Sequence, residues 1–399
     1  MGDTLRSVAM TKRCHPISTA VFPLVAAFCL GFPPSARAQL VVSANDAKVA
    51  LVDGVNTTVP NGPPDTVTFV EIRGNSSSII GEVDAPNSVV GPPQNVAVTP
   101  DRSLVLVASS TRIDSTDPKK TAFDDKLTVI DLQSSPPRVI ATLTAGTQAS
   151  GVAISPSGSL ALVANRANGT VSVFTIKGKT VTAASSLDLG APESGPSGIA
   201  FTKDGRAALV TRNNDNLISV LTIDGTNVHY DKRTIAAGQK PYGIAVSPKG
   251  DVAVVGNIGA GPTGADDTVS VVDLSGKEPR VASNLALGPV VEGIAMSPDG
   301  KYVAATVMNG SNAPKSSPLF HDFGILRVLA LNGTTLSPLA EAKIGHWCQG
   351  VAFSGNQTVL VQCMVEKEIQ TFTLEGKTLK AGPPIKINGG PAGILVVQR

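Results

Sequence analysis

The stretch Gly151-Val-Ala-Ile-Ser-Pro-Ser-Gly158 decides the fold, because close copies of it recur along the chain. The copies are Gly-Ile-Ala-Phe-Thr-Lys-Asp-Gly at 198–205, Gly-Ile-Ala-Val-Ser-Pro-Lys-Gly at 243–250 and Gly-Ile-Ala-Met-Ser-Pro-Asp-Gly at 293–300. Weaker copies are Asn-Val-Ala-Val-Thr-Pro-Asp at 95–101 and Gly-Val-Ala-Phe-Ser-Gly-Asn at 350–356. Their apolar second residues lie 45 to 57 positions apart, which is typical of a repeat protein.

Each repeat predicts four short strands. The phrase is a first strand that ends in a Ser-Pro-x-Gly turn, since Pro fixes φ and Gly accepts the left-handed conformation. In the repeat that starts at Gly151, an apolar strand follows over 160–164 and a strictly alternating strand over 170–176. A fourth strand, over 180–189, leads into the next copy. Four short strands per repeat, with no helical periodicity, are typical of a propeller blade.

Six anchored repeats cover about 95–388, and residues 39–94 follow the same pattern without the opening phrase. We expect the second, third and fourth strands of this first blade at 48–53, 65–72 and 78–85. Two segments compete for its innermost strand, 40–43 and 394–397, and the C-terminal one is favoured because Gly-Pro-Ala-Gly-Ile introduces it. The sequence predicts an all-β fold, a seven-bladed β-propeller of four-stranded antiparallel blades. We expect the N- and C-terminal segments to join and close the ring, which removes open sheet edges.

Residues 1–38 read as a secretory signal peptide, and 39–399 as a single propeller domain. Basic residues precede an apolar run over 17–31, which is shorter than a membrane-spanning helix, and Ala36-Arg37-Ala38 forms a cleavage site. An N-terminal membrane anchor is the alternative. Cleavage after Ala38 predicts a periplasmic or secreted protein with no membrane span in the mature chain, and we expect a monomer.

Composition excludes several functional classes. The chain has 33 basic and 31 acidic residues, a balance that argues against nucleic-acid binding by phosphate neutralisation. It has one Trp, Trp347, and no Cys-x-x-Cys-His sequence. We therefore expect no cofactor: covalent haem is excluded, and Trp-rich quinone-binding propellers are disfavoured. No spaced set of metal ligands stands out, and Asp266-Asp267 reads as a turn rather than a calcium site.

The repeats resemble the YVTN-type β-propeller repeat. The resemblance rests on Gly-Ile-Ala-Val-Ser-Pro-x-Gly, then an apolar strand ending in Ala-Asn or Gly-Asn, then Thr-Val-Ser-Val. The resemblance extends over about 39–399. Over this range the chain is similar to the lactonase-like seven-bladed propellers. The resemblance implies the fold and admits a lactonase activity, but its motif residues are turn and core residues, so it implies no catalytic residue.

Candidate ligand-binding residues lie in the loops that share one face of a propeller, those from fourth to first and from second to third strands. The predicted set is Arg112, Arg166, Arg212, Asn257, Tyr242, Glu292, Gln349 and His346. Three arginines from consecutive blades would form a positive patch, and arginine grips carboxylate or phosphate in a bidentate manner. The alternative is that these arginines are ordinary solvated loop charges.

His321 and Asp322 are the candidate catalytic residues, because they lie in the longest insertion, 308–324. A histidine with a carboxylate partner could act as the general base of lactone hydrolysis. The predicted function is a ligand- or partner-binding module that uses its channel-face loops. The most specific ligand that the arginines suggest is an anionic small molecule. The alternative is a lactonase-like hydrolase of a sugar-acid or similar lactone.

Cys348 and Cys363 are the two cysteines beyond residue 38, and export favours a disulfide between them. A two-residue Gly355-Asn356 turn would pair Ser354 with Gln357, so that opposed residue numbers add up to 711 and the cysteines oppose each other. With a three-residue turn the opposed residue numbers would add up to 712, and the Cys363 side chain would lie on the other face of the sheet. The early position of Gly355 favours 711.

Overall fold

Strands rich in Val, Ile and Thr, separated by Gly- and Pro-containing turns, form a ring of seven antiparallel sheets in the computed structural model. The structure describes Met10 and residues 38–74, 76–261 and 263–397. The predicted signal peptide therefore lies almost entirely outside the described residues. In the part of the chain that is described, no helix is long and apolar enough to span a membrane.

The first three blades occupy the N-terminal half of the ring. Blade 1 contains β1 (Gln39–Asp46), β4 (Thr66–Arg73) and β5 (Ser76–Asp84), with β2 (Val49–Val52) and β3 (Val55–Thr58) as a separate hairpin. Blade 2 contains β6 (Val96–Val98), β7 (Leu104–Ile113), β8 (Thr121–Asp131) and β9 (Arg138–Thr144). Blade 3 contains β10 (Ala149–Ile154), β11 (Leu160–Asn165), β12 (Thr170–Lys177) and β13 (Thr180–Asp188).

Blades 4 and 5 follow after a short 3₁₀ turn at Pro192–Ser194. Blade 4 contains β14 (Pro196–Phe201), β15 (Ala207–Arg212) and β16 (Leu217–Asp224), with an outer edge divided into β17 (Asn227–His229) and β18 (Thr234–Ala236). Blade 5 contains β19 (Pro241–Val246), β20 (Val252–Asn257), β21 (Asp267–Asp273) and β22 (Arg280–Gly288).

Blades 6 and 7 complete the ring. Blade 6 contains β23 (Val291–Met296), β24 (Tyr302–Val307), β25 (Gly324–Asn332) and β26 (Thr335–Ile344). Blade 7 contains β27 (Cys348–Ser354), β28 (Thr358–Cys363), β29 (Glu368–Glu375), β30 (Thr378–Ala381) and β31 (Ile385–Lys386). The last strand, β32 (Gly390–Val397), returns to blade 1.

The chain termini close the ring. β32 pairs antiparallel with β1, with Leu40 opposite Val397 and Ser43 opposite Ile394. The C-terminal segment is therefore the innermost strand of blade 1, as favoured from its lead-in, and β1 is the second strand. Apolar clusters fill the space between neighbouring blades, and the one between blades 7 and 1 contains Ile394 and Val396.

One strand prediction in blade 1 is wrong. Residues 48–53 do not form the second strand of the blade, because Val49–Val52 pairs only with Val55–Thr58 in the separate hairpin. Asp53 and Gly54 form its two-residue turn, with φ of 43° and 77°. Asp-Gly between short strands is the preferred sequence for a hairpin whose two turn residues both have positive φ.

The predicted turns between first and second strands are confirmed. Gly158, Gly205, Gly250 and Gly300 have φ of 74°, 68°, 82° and 72°. These turns share the lower face of the propeller with the third-to-fourth-strand turns. The fourth-to-first and second-to-third connections share the other face, here called the upper face, where the candidate residues were predicted.

The disulfide between Cys348 and Cys363 is present, with Cα atoms 4.0 Å apart. The predicted turn is wrong, since Ser354 pairs with Thr358 around a three-residue loop, which is the 712 register. A bulge at Gln349-Gly350 takes up one extra residue of β27, and beyond it Cys348 opposes Cys363. The pairing was thus right, although the register offered for it was not.

Candidate functional site

Every first strand from blade 3 to blade 7 begins with the same bulge. In blade 3, Ala149 opposes Asn165 and Val152 opposes Val163, so two residues of β10 face one residue of β11. The same shift occurs in β14, β19, β23 and β27. The first bulge residue of each blade lies at the upper end of the axis, and these residues are Ser150, Ser197, Tyr242, Glu292 and Gln349.

The second bulge residue is glycine because neighbouring first strands nearly touch at the axis. A Cβ atom on Gly293 would collide with the carbonyl oxygen of Gln349 in the next blade. The residue two positions before each bulge has a left-handed backbone, with φ of 61° at Gln148, 52° at Lys240 and 62° at Val290. For the β-branched Val290, which lies two residues before Glu292, this conformation is strained.

Three predicted ligand-binding residues meet at this position. The guanidinium carbon of Arg166 lies 5.5 Å from the centre of the Tyr242 ring, and its Nη1 donates to Ser197 Oγ. Glu292 lies close enough to Tyr242 for its charge to affect the tyrosine. Arg166 in turn lies close enough to Glu292 for its charge to affect the carboxyl. We call Arg166, Ser197, Tyr242 and Glu292 the axial cluster. It combines one cation, one carboxyl and two hydroxyls from blades 3 to 6.

Burial dominates the electrostatics of the axial cluster. The Glu292 residue is 8% exposed, and burial raises the pKa of its carboxyl to about 7 although the Arg166 charge lowers it. Burial and the Glu292 charge also raise the pKa of Tyr242. Glu292 Oε2 has no hydrogen-bond partner among the described residues, and neither has the nearby Ser150 Oγ. A buried carboxyl that titrates near neutrality beside a guanidinium is typical of catalytic sites.

Residues 87–93, here called the crossing segment, cover the axial cluster on the upper face. The segment joins β5 of blade 1 to β6 of blade 2, and all of it except Val90 is buried. Val89 N donates to Asp46 Oδ2 at 2.9 Å, and Ser110 Oγ donates to the Val90 carbonyl. Gly91 lies against Ser150 and the Arg166 side chain, and its backbone is within hydrogen-bond reach of Tyr242.

Apolar side chains fill the rest of the upper face above blades 6, 7 and 1. The cluster contains Val49, Val89, Met308, Trp347, Met364 and Ala392. The β2–β3 hairpin and the insertion after β24 meet above it, where Lys315 N donates to Asp53 Oδ1 at 2.8 Å. The upper entrance to the axial cluster is therefore closed in this conformation.

The predicted pairing of His321 with Asp322 is not what the structure contains. His321 is exposed, and its Nδ1 lies 2.9 Å from the Asn309 carbonyl oxygen. Asp322 instead contacts His346, whose Nε2 lies 2.9 Å from Asp322 Oδ1, while its Nδ1 lies 2.7 Å from Glu366 Oε1. The side chains of adjacent residues in an extended loop point in different directions. Adjacency in the sequence therefore predicted His321 as the partner of Asp322, whereas the partner is His346. The catalytic roles of His321 and Asp322 stay predictions.

His346 is held between two carboxylates. Burial lowers its pKa, but hydrogen bonds and charge from Glu366 and Asp322 outweigh this and raise the pKa above its ordinary value. Both ring nitrogens lie within hydrogen-bond distance of carboxylates, so the His346 side chain ties the insertion to blade 7. Glu366 also accepts from the His346 backbone N–H at 3.0 Å.

The three predicted arginines do not share one site. Arg166 belongs to the axial cluster, whereas Arg212 forms an ion pair with Asp215 and donates to Tyr230 Oη at 3.3 Å. Arg112 is exposed near the tip of the long β7–β8 hairpin and donates to the Ile113 carbonyl. The positive patch is therefore reduced to a single guanidinium at the axis.

Asn257 and Gln349 have structural partners. Asn257 is buried, and its Nδ2 donates to Thr268 Oγ1 and Ser270 Oγ, each at 2.9 Å. Gln349 is buried beside the crossing segment, and its amide fits best with nitrogen donating to Val89 O and oxygen accepting from Trp347 Nε1. Asn257 therefore links the second and third strands of blade 5, and Gln349 links blade 7 to the crossing segment.

Sequence reasoning missed Ser150 and the crossing segment. Ser150 stands at the position equivalent to Tyr242 and Glu292, so alignment of the repeats would have found it. The crossing segment carries Val89-Val90-Gly91-Pro92-Pro93, an apolar run in a connection where polar residues are normal. Among the described residues, Cys348, Cys363 and Glu366 bring three potential metal ligands together, but the two sulfurs are bonded to each other.

Sequence comparison relates part of the chain to a propeller family. Residues 107–227 match the family model described as "Lactonase, 7-bladed beta-propeller". With the seven blades of the structure, this match confirms the resemblance of the repeats to the lactonase-like seven-bladed propellers. No curated protein matches the sequence.

Solved structures share the fold at low sequence identity. A provisionally named 6-phosphogluconolactonase from Bacteroides uniformis has a TM-score of 0.70 at 16% identity, over 90% of this chain and 99% of that chain. The periplasmic gluconolactonase of Pseudomonas aeruginosa has a TM-score of 0.68 at 14% identity, over 91% and 99%. Hydrazine synthase of Kuenenia stuttgartiensis has a TM-score of 0.60 at 16% identity, over 78% and 91%. These likenesses establish the fold, which hosts more than one chemistry.

Proposed function

We propose that the chain is an exported hydrolase of lactones that works at the axial cluster. The observation that carries the proposal is the Glu292 carboxyl, which is buried, has a pKa of about 7 and lies beside Arg166 and Tyr242. A base with a pKa near the operating pH is the most effective general base. The match of residues 107–227 to the lactonase family model supports this reaction class.

In the proposed reaction, the Glu292 carboxylate takes a proton from water as the water oxygen attacks the lactone carbonyl carbon. Arg166 and the Tyr242 hydroxyl are the donors for the oxyanion that forms on the carbonyl oxygen. The ring C–O bond then breaks, and protonated Glu292 returns its proton to the leaving alkoxide. The lactone and one water become one hydroxy acid, and no cofactor is consumed.

Glu292 is preferred to His346 as the base because of their hydrogen bonds. Both nitrogens of His346 are occupied by carboxylates, which raise its pKa and so favour the protonated imidazole. Glu292 Oε2, by contrast, is buried and has no hydrogen-bond partner among the described residues. His346 is better suited to positioning the insertion than to accepting a proton.

Export and a monomeric state belong to the same proposal. The signal-peptide pattern of residues 1–38 supports periplasmic or secreted localisation. The Cys348–Cys363 disulfide supports it as well, because such bonds persist in oxidising compartments. Fractionation of cells expressing the full chain, with mass spectrometry of the mature N-terminus, tests cleavage after Ala38.

The test of activity is a panel of polyhydroxy and alkyl lactones, with acid release followed at pH 7.5 on residues 39–399. We expect turnover by the wild type and a loss of at least 100-fold in kcat for Glu292→Gln, the usual scale for a general base. His321→Ala is the control, and it should retain activity. Activity lost in His321→Ala but kept in Glu292→Gln would move the base to the predicted histidine. No turnover of any lactone would leave the binding-module interpretation.

A further inference from the structure

A second space lies on the propeller axis below the axial cluster. It has a volume of about 250 Å³ and opens among the lower ends of the first strands of blades 5, 6, 7 and 1. Most of the side chains that line it are apolar, and they include Ile294, Met296, Val351, Phe353, Ile394 and Val396. We call this space the axial cavity.

Gln94 forms the boundary between the axial cavity and the axial cluster. Its Nε2 donates to the Ile244 carbonyl at 2.7 Å, and its Oε1 accepts from Ile244 N at 3.1 Å. Gln94 is the single polar residue that lines the cavity, and both ends of its amide are engaged by the Ile244 backbone. The side chains of the cavity therefore offer a ligand mainly apolar contact.

The axial cavity lies directly below the proposed active site along β23, with Gln94 between them. Ile294 lines the cavity, and Glu292 lies two residues further up the same strand, a rise of about 7 Å. The upper route to Glu292 is closed by the crossing segment and the apolar cluster above it. From the lower face, the Gln94 amide stands between the axial cavity and Glu292, so a substrate that approaches from below must displace it.

We propose that the axial cavity binds the aliphatic chain of the substrate, so that the substrate class is a lactone with an alkyl substituent that enters from the lower face. This rests on the proposed function. It narrows the sugar-acid or similar lactone expected from the sequence, since a polyhydroxy substituent would lose its hydrogen bonds to water in this cavity. The lactone ring displaces the Gln94 amide from Ile244 and reaches Glu292, while the chain stays below.

The volume sets the length of the chain. An apolar cavity of about 150 Å³ accepts benzene, so about 250 Å³ holds roughly six to ten carbons. Each methylene group transferred from water to such a site tightens binding by up to about fourfold. Affinity should therefore rise with each added carbon and level off when the cavity is full.

The experiment measures binding by calorimetry on Glu292→Gln protein, which does not depend on turnover. The probes are γ-lactones with alkyl chains of one, three, five, seven and nine carbons. We expect the dissociation constant to fall two- to fourfold per carbon, and to stop falling at the longest chains. A dissociation constant independent of chain length overturns the proposal, even if the wild type hydrolyses every probe.

Two variants with a matched control locate the binding site. Ala295→Leu, which narrows the cavity, should weaken binding of the seven-carbon probe at least tenfold and leave the one-carbon probe unchanged. Ala200→Leu makes the same change at the equivalent position of blade 4, outside the cavity lining, and should leave both unchanged. If Ala295→Leu does not fold, Met296→Ala should move the plateau to a longer chain. Equal effects of Ala295→Leu and Ala200→Leu would contradict the proposal.

The two proposals fail in different ways. Chain-length-dependent binding without turnover by the wild type would keep the axial cavity as a binding site and remove the hydrolase. Turnover without chain-length dependence would keep the hydrolase and remove the alkyl substrate.

Discussion

At the residue scale, Glu292 couples the proposed chemistry to the stability of the fold. Its carboxyl has an ordinary pKa of 4.5, and burial raises the pKa in the folded protein to about 7. A group with a raised folded pKa adds stability that is complete below pH 4.5 and is lost as the pH rises through 7. The cost of ionising Glu292 is on the order of 3 kcal/mol.

Glu292→Gln should therefore stabilise the protein at pH 8 relative to the wild type, by on the order of 3 kcal/mol, and change it little at pH 4.5. Glutamine keeps the shape of the neutral carboxyl but cannot ionise. Urea unfolding at the two pH values measures this difference. Glu341→Gln, on the exposed outer strand of blade 6, is the control and should show no such pH dependence. A constant difference between Glu292→Gln and the wild type would show that Glu292 titrates normally.

The repeat phrase explains which axial residues could be predicted from the sequence. Tyr242 and Glu292 directly precede the glycine of their repeats, a position that always falls at the axis. Arg212 is not equivalent to Arg166, although the sequence analysis grouped them. Arg212 is the last residue of its second strand and opposes Pro196, so its equivalent in blade 3 is Asn165, which opposes Ala149. Arg166 lies one residue beyond that point. A shift of one residue reverses the face on which a side chain lies.

Asn257 provides a second prediction at this scale, because its amide hydrogens are used within blade 5. Asn257→Ala removes two buried hydrogen bonds, to Thr268 and Ser270, and should cost about 1–3 kcal/mol of unfolding free energy. Substrate KM should stay unchanged. Asn165→Ala is the comparison variant, since Asn165 makes the same two bonds in blade 3 and also accepts from Gly146 N, and it should cost at least as much. A raised KM at unchanged stability would return Asn257 to the ligand-binding residues.

At the element scale, the bulge at the start of each first strand decides which residues oppose each other. In blade 7 it converts the 712 register of the turn into the 711 register of the disulfide. The glycine of each repeat phrase marks this bulge in the sequence. Its recurrence alone does not show that two residues of the first strand oppose one residue of the second. Hydrogen-bond register across a bulge depends on the paired strand, which the local sequence does not specify.

In blade 7 the disulfide stands where blades 3 and 5 have a polar network. Cys363 occupies the position of Asn165 and Asn257, but the third strand of blade 7 offers Glu368 and Gln370 where the others offer hydroxyl groups. An asparagine at 363 would therefore lack its usual partners. A covalent bond between the first and second strands takes over the role of that network.

Thiol labelling of denatured, unreduced mature protein should find no free cysteine, because both remaining cysteines are in the bond. The Cys348→Ala, Cys363→Ala double variant should lose on the order of 3 kcal/mol of unfolding free energy, since the bond closes a loop of 14 intervening residues. Wild type kept in a dithiol reductant is the matched control and should approach the variant. Two labelled thiols in the unreduced protein would contradict the bond.

At the scale of the whole molecule, the ring depends on a contact between the two ends of the chain. β32 supplies the innermost strand of blade 1, and its side chains Ile394 and Val396 are buried between blades 7 and 1. Repeat counting predicted seven blades and favoured this closure. The β2–β3 hairpin and the crossing segment escaped prediction because they are insertions that the repeat pattern does not contain.

Closure gives the last prediction. Removal of residues 389–399 leaves the inner edge of β1 unpaired over Leu40–Asp46, and an exposed edge of this kind promotes aggregation. Loss of the buried Ile394 and Val396 side chains alone costs on the order of 3–6 kcal/mol, a large part of the stability of an ordinary domain. We therefore expect the truncated chain to elute as aggregate in gel filtration and to lose cooperative unfolding. Removal of only residues 398 and 399 is the control, and it should leave the protein monomeric.

A synthetic peptide of residues 389–399 should rescue the truncated chain when it is added during refolding, because β32 contacts β1 through an antiparallel ladder that does not need a covalent connection. A peptide with Ile394→Asp and Val396→Asp should fail, since these side chains enter the cluster between blades 7 and 1. Cooperative thermal unfolding followed by circular dichroism separates the two peptides. A truncated chain that is monomeric and unfolds at the wild-type temperature without peptide would show that the propeller is held by its blade interfaces alone.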